Sequence, residues 1–225
     1  MKKEKIIVEA GHIYTSEKPG QNHLNDAILG GKIASHIESN FGFEVEKWLL
    51  VDNYNPKKNN EIELLDLNGY LFQLRSAGFN VEKCVFEENY VPAAKDIIEI
   101  LLKNSHAFEQ NGNIFFSKKK SLLYEPEKDK YKCGLLDAAL YLHKLQDSAF
   151  CLTLLDKKYE SEHGMAMEIL KRLGHNVEDK IVALLYSASG NGAKMPFFKP
   201  LVENSLQFLS LSDQLENIAW SFKIK

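Results

Sequence analysis

Apolar stretches of strand length alternate along this chain with stretches whose apolar residues recur at the helical period. The first, Lys5 to Ala10 (KIIVEA), predicts a buried strand. A loop, GHIYTSEKPGQN, separates it from His23 to Asn40, where Leu24, Ala27, Ile28, Gly31 and Ala34 fall on one face of a helix. Trp48 to Asp52 (WLLVD) predicts a second strand, ending in DNYNPKKNN, where Pro56 and the asparagines favour turns. The middle is less regular: a helix from Leu64 to Ala77, a strand from Val81 to Phe86, a helix from Ala93 to Lys103, and a hairpin of NIFFS and SLLYE around three lysines. It reads as a connecting insertion over residues 61–127. From Leu135 the alternation returns with a helix to Leu145, a strand Ala149 to Leu155, a helix Ser161 to Leu173 stopped by Gly174, and an apolar run Ile181 to Tyr186. After Pro200, Leu201, Leu206, Phe208, Leu209, Leu215 and Ile218 predict a packed helix. Strands alternating with helices call for an α/β fold with a parallel sheet covered on both faces.

A length of 225 residues with 44% hydrophobic content accommodates one main domain and a small insertion. The formal charge of -3 gives no global basic field, so coating of RNA by the whole surface is excluded and any nucleic-acid contact would rest on a local patch. Cys84, Cys133 and Cys151 are widely spaced and odd in number, which fits reduced thiols in a cytoplasmic protein. The start, MKKEKIIVEAG, makes a poor signal peptide, and no stretch approaches the roughly 20 apolar residues of a membrane span.

A loop that joins a strand to a helix points backbone N–H groups and a helix N-terminus at an anion. In the longer string IIVEAGHIYTSEKPGQNHLNDAILGGKIASHIESNFGFEVEKWLLVDNYN, the order Lys18-Pro19, His23-Leu24, Ala27-Ile28 and Gly30 resembles the opening of an arginyl-tRNA synthetase core. There a strand leads to a Lys-Pro, a HIGH-type motif, a helix and a second strand. CGLLDAALYLHKLQD and AFCLTLLDKKYESEHGMAMEILKRLGHNVEDKIVALLYSASGNGAKMPFF are similar to the segments that approach the family's KMSKS loop, with Asp137 on its acidic position. The resemblance covers both halves of a split nucleotide-binding fold and implies a Rossmann-like, HUP-type sheet in a single domain, 1–225, without an anticodon-binding domain.

It also implies ATP, with magnesium as its usual companion, as cofactor, and an amino acid and a nucleotide as ligands, with a tRNA acceptor end as a further candidate partner and no membrane. By position, Lys18, His23 and Lys194 take the catalytic places, and Pro19, Gly20, Gly30 and Met195 line ATP. Tyr14, Asn53, Asp137 and Asp156 face the substrate. No metal-binding cluster is expected. Two departures bear on activity: Gly20-Gln21-Asn22 stand where the first histidine and the motif glycine belong, and Pro196, Phe197 and Phe198 follow Lys194-Met195 where the mobile lysine belongs. Adenylation relies on charge that meets the phosphates in the transition state. Lys18 stands where arginyl-type enzymes lacking that lysine carry a substitute.

Each residue also has a plainer reading. His23 can be a polar residue at a helix start, Lys194 part of a Gly-Asn-Gly turn, Asp137 a solvated helical carboxylate, and Lys118 to Lys120 solvating charge at a hairpin tip. Three functions follow. The first is a stand-alone class I synthetase-like protein that activates or transfers an amino acid. The second is a binding or regulatory module that has lost catalysis. The third is a transferase that consumes aminoacyl-tRNA, as cyclodipeptide synthases do, although their nucleophilic serine motif has no convincing match and Ser16 is only its nearest, weak candidate.

Overall fold

The computed structural model describes residues 5–14, 21–41, 43–52, 67–76, 78–117, 120–148, 150–156, 159–177 and 180–186. In chain order these form β1 (Lys5–Tyr14), α1 (Gln21–Phe41), β2 (Glu44–Asp52), α2 (Leu67–Ser76), β3 (Lys83–Phe86) and α3 (Val91–Lys103). Four short strands follow, β4 (Ala107–Gln110), β5 (Asn113–Phe116), β6 (Ser121–Glu125) and β7 (Lys130–Tyr131). The chain continues through α4 (Cys133–Asp147), β8 (Phe150–Asp156), α5 (Glu160–Arg172) and β9 (Ile181–Tyr186). The helix expected after Pro200 lies outside the described residues.

The main sheet has the order β3-β2-β1-β8-β9, with every pairing parallel. From β1 the chain winds outward to β2 and β3, then returns to place β8 on the other side of β1. The order therefore reverses between β1 and β8, and in open α/β sheets the crevice at such a switch point is where ligands bind. β4 to β7 form a separate antiparallel sheet in sequence order, which contains and extends the expected hairpin.

Both faces of the parallel sheet are covered, which explains its unbroken apolar runs. Ile6, Val8, Leu49 and Leu152 pack with Ile33 and Ile37 of α1 and with Leu74 of α2. On the opposite face Ile7, Leu50, Val85 and Cys151 meet Ile97 of α3, Leu140 of α4 and Ile169 of α5. α3 presents Ala94, Ile97, Ile98 and Leu101 inward, the i, i+3, i+4, i+7 stripe of an amphipathic helix.

β1 is longer than the sequence suggests. The segment read as the start of a loop, Gly11 to Tyr14, continues the strand after a register shift between Glu9 and His12 and stays paired to β2 as far as Tyr14 opposite Asp52. Pairing satisfies backbone groups that a loop there would leave to other partners. α5 ends as expected: Gly174 has φ +85°, its N–H reaches the Lys171 carbonyl at 3.1 Å, and the His175 N–H reaches the Leu170 carbonyl at 3.0 Å. Those two bonds and a left-handed residue make the Schellman stop.

Candidate functional site

One row of side chains crosses the sheet on the α4 side. Lys83, Trp48, Glu9, Thr153 and Ala183 stand opposite one another, strand to strand, from β3 to β9. Glu9, at the centre, is fully buried, and so is Lys144 of α4, which makes an ion pair with it. A carboxylate taken out of water at mid-sheet costs several kcal/mol unless a charge of opposite sign and hydrogen bonds accompany it. Lys144 supplies both.

On α4, Tyr141 sits three residues before Lys144, and the Lys144 Nζ lies 5.0 Å from the Tyr141 ring centroid. The Tyr141 hydroxyl and His163 Nδ1 of α5 share a hydrogen bond of 2.8 Å, with the two rings edge-on at 82°. Both residues are 2% exposed. The bond pairs one donor with one acceptor, and a neutral imidazole offers either at Nδ1 according to its tautomer. Burial, assisted by the charge of Lys144, holds His163 down at about 4, against a slight opposing pull from Glu9. Burial, then the negative charges of Asp137 and Glu9, push the Tyr141 phenol well above its usual range, with the Thr153 hydroxyl acting the other way. The clamp is therefore neutral on both sides at neutral pH. Trp48 Nε1 is buried with no hydrogen-bond partner among the described residues.

Helix α4 leads into the start of β8 through its C-cap Ser148, so its N-terminal half lies toward the C-terminal ends of the strands. Helix α5 begins just after β8 ends. Asp137, the acidic residue expected to meet substrate, is half-buried one turn above Tyr141, and its charge reaches the Tyr141 phenol. At the same edge Tyr14 and Asp156 are the last residues of β1 and β8, neither in the loop that was expected for Tyr14. His23 falls in the first turn of α1, and Gly30 is buried further along that helix. Lys18, Pro19, Gly20, Asn53, Lys194 and Met195 lie outside the described residues.

Sequence reasoning missed the buried polar set, Glu9, Lys144, Tyr141, His163 and Thr153. A signal existed in Glu9, which interrupts an apolar run predicted to be a buried strand, and in Lys144, one turn beyond the apolar Leu140 and Tyr141. None of the three cysteines is in a disulfide; Cys151 is buried and Cys133 exposed. Among the described residues no group of three or more His, Cys, Asp or Glu side chains could hold a metal ion, and no helix is long and apolar enough to cross a membrane.

No family model matches the chain, and no curated protein matches it. Solved structures do. A Campylobacter jejuni protein described as an arginyl-tRNA synthetase superposes with a TM-score of 0.67 at 13% identity, covering 97% of this chain and 61% of that one. The arginyl-tRNA synthetase of Plasmodium falciparum gives 0.58 at 13% identity, covering 99% of this chain and 49% of its own. This chain has the fold of those class I synthetases. It spans less than two thirds of the length of either.

Proposed function

We propose that this protein is a class I synthetase-like domain that binds an amino acid and ATP at the C-terminal edge of its parallel sheet and activates or transfers the amino acid. The observation that carries the reading is the switch point between β1 and β8, in a chain 97% of which is covered by the superposition on the Campylobacter jejuni structure. His23 lies in the first turn of α1, the helix that comes after β1 in the chain, and Asp137 lies in the N-terminal half of α4.

One feature supports a nucleotide: a long helix, α1, is the next element after the strand β1, an order that suits N–H groups at a helix start to a phosphate. ATP supplies the adenylyl group that makes an amino-acid carboxylate reactive. In this reading His23 and Lys18 meet the charge on the phosphates, and Lys194 supports the loop that closes over them. Asp137 holds a cationic group of the amino acid by a charge-assisted hydrogen bond, with Tyr14, Asn53 and Asp156 lining the pocket. Magnesium would accompany the phosphates. A tRNA acceptor end is the natural acceptor, and cysteines outside any disulfide suit a cytoplasmic location.

A second reading is favoured by the two altered motifs, Gly20-Gln21-Asn22 and Pro196-Phe197-Phe198: a module that binds amino acid and nucleotide without turnover. Exchange of pyrophosphate into ATP, measured across all amino acids, separates the two. An active domain exchanges with one amino acid and loses the exchange in Lys18→Ala and His23→Ala. Ligand binding with no exchange establishes the module, and neither binding nor exchange removes both readings.

A further inference from the structure

We infer that Tyr141 and His163 are positioning residues for Asp137, and that their contact sets how tightly the site holds a cationic amino acid. The inference rests on the proposed reading in one respect, the assignment of Asp137 to the substrate. Its grounds lie in how α4 is fixed.

A helix packed on a sheet is turned toward it by its apolar stripe, and directional polar contacts fix its rotation more finely. Helix α4 has three directional constraints. Lys144 is tied to Glu9 at the centre of the sheet, Tyr141 is tied to His163 of α5, and Gly134 lets the helix start approach α5 so closely that a Cβ there would lie 2.8 Å from the Glu162 carbonyl oxygen. Asp137, Tyr141 and Lys144 follow one another at i, i+4 and i+7, which places them along one side of the helix. Asp137 is thus held between the contact at Gly134 below it in sequence and the hydrogen bond at Tyr141 above it.

The Lys144 to Glu9 ion pair fixes α4 seven residues beyond Asp137. The Tyr141 to His163 bond is the second anchor, and it ties α4 to the helix that follows β8 out of the crevice. Rotating a helix by 20° carries a side-chain tip about 2 Å, given a helix radius of roughly 5 to 6 Å with side chains. A misplacement of about 1 Å at a reacting centre can cost a hundredfold. Losing the hydrogen bond therefore acts on the substrate through Asp137, without Tyr141 or His163 touching it.

The test uses the full chain and isothermal titration with two probes, L-arginine and ATP. Tyr141→Phe and His163→Ala are expected to weaken L-arginine binding by about tenfold, an energy of roughly 1.4 kcal/mol, and to leave ATP binding within about twofold of wild type, since α1 is untouched. His163→Asn, which keeps a hydrogen-bonding group near the Nδ1 place, is expected to recover most of the loss. Parallel weakening of both probes, or unchanged L-arginine binding in Tyr141→Phe while Asp137→Ala abolishes it, overturns the positioning role. Should the wild type bind no L-arginine, or Asp137→Ala bind it normally, the reading of Asp137 fails on its own. Crystal structures then decide the rest: an Asp137 carboxylate displaced by about 1 Å or more in Tyr141→Phe, on the scale that matters for a site, upholds positioning, and an unmoved one ends it.

Discussion

Lys144 and Glu9 are both fully buried, and each is the reason the other can be. Replacing Lys144 by Met strands a carboxylate in the middle of the sheet, and the expected loss is about 3–5 kcal/mol. Adding Glu9→Gln to that variant should return part of it, and urea unfolding of the single and double variants measures both. His163 carries a pH dependence whose sign follows from its depressed value, about 4 against 6.5 when unfolded. Between those values the unfolded chain holds a proton that the native chain refuses, so stability falls as pH drops from 6.5 to 4 and is fully present above 6.5. The loss is on the order of 3 kcal/mol at the acid end. Urea midpoints from pH 4 to 7 should decline less steeply in His163→Asn than in wild type. An equal decline in the two would place the acid sensitivity elsewhere. These residues were half legible in the sequence: Glu9 stood out in KIIVEA, whereas nothing near His163 in ESEHGMAM distinguishes a buried imidazole from an exposed one.

Among the elements, the helices were the most legible, because a 3.6-residue period and a stop signal are local properties. Two glycines separate local from tertiary demands. Gly174 has a left-handed backbone and open space where a Cβ would go, so Gly174→Ala should cost only the conformational strain, about 1–2 kcal/mol. Gly134 has no positive φ, yet a Cβ there would meet Met165 Cε at 2.5 Å and the Glu162 carbonyl at 2.8 Å. Gly134→Ala should push α4 from α5 at a cost of about 1–3 kcal/mol. It should also weaken L-arginine binding at the proposed site, as Gly174→Ala should not. Thermal melts with titration of both variants check the contrast. The end of β1 was read as loop because Gly11 and the polar residues after it break the apolar run; the pairing of Tyr14 with Asp52, a contact between distant segments, extends the strand.

At the scale of the whole molecule, the sheet order β3-β2-β1-β8-β9 gives a single crevice a functional meaning, and the pyrophosphate-exchange experiment decides what kind. The alternation of apolar runs and helical periods determined by itself that this chain forms an α/β sheet covered on both faces, since each element's own pattern reports how many of its sides are buried. It placed Asp137 on a helix and His23 at a helix start for the same reason. Only the tertiary structure decided that β1 lies between β2 and β8, that Glu9 meets a lysine 135 residues away, and that Tyr141 and His163 share a proton's hydrogen bond. A residue's pattern of neighbours in the chain records whether its side is buried. Which distant group is buried with it is a property of packing, and in this protein those partners hold the helix that carries Asp137.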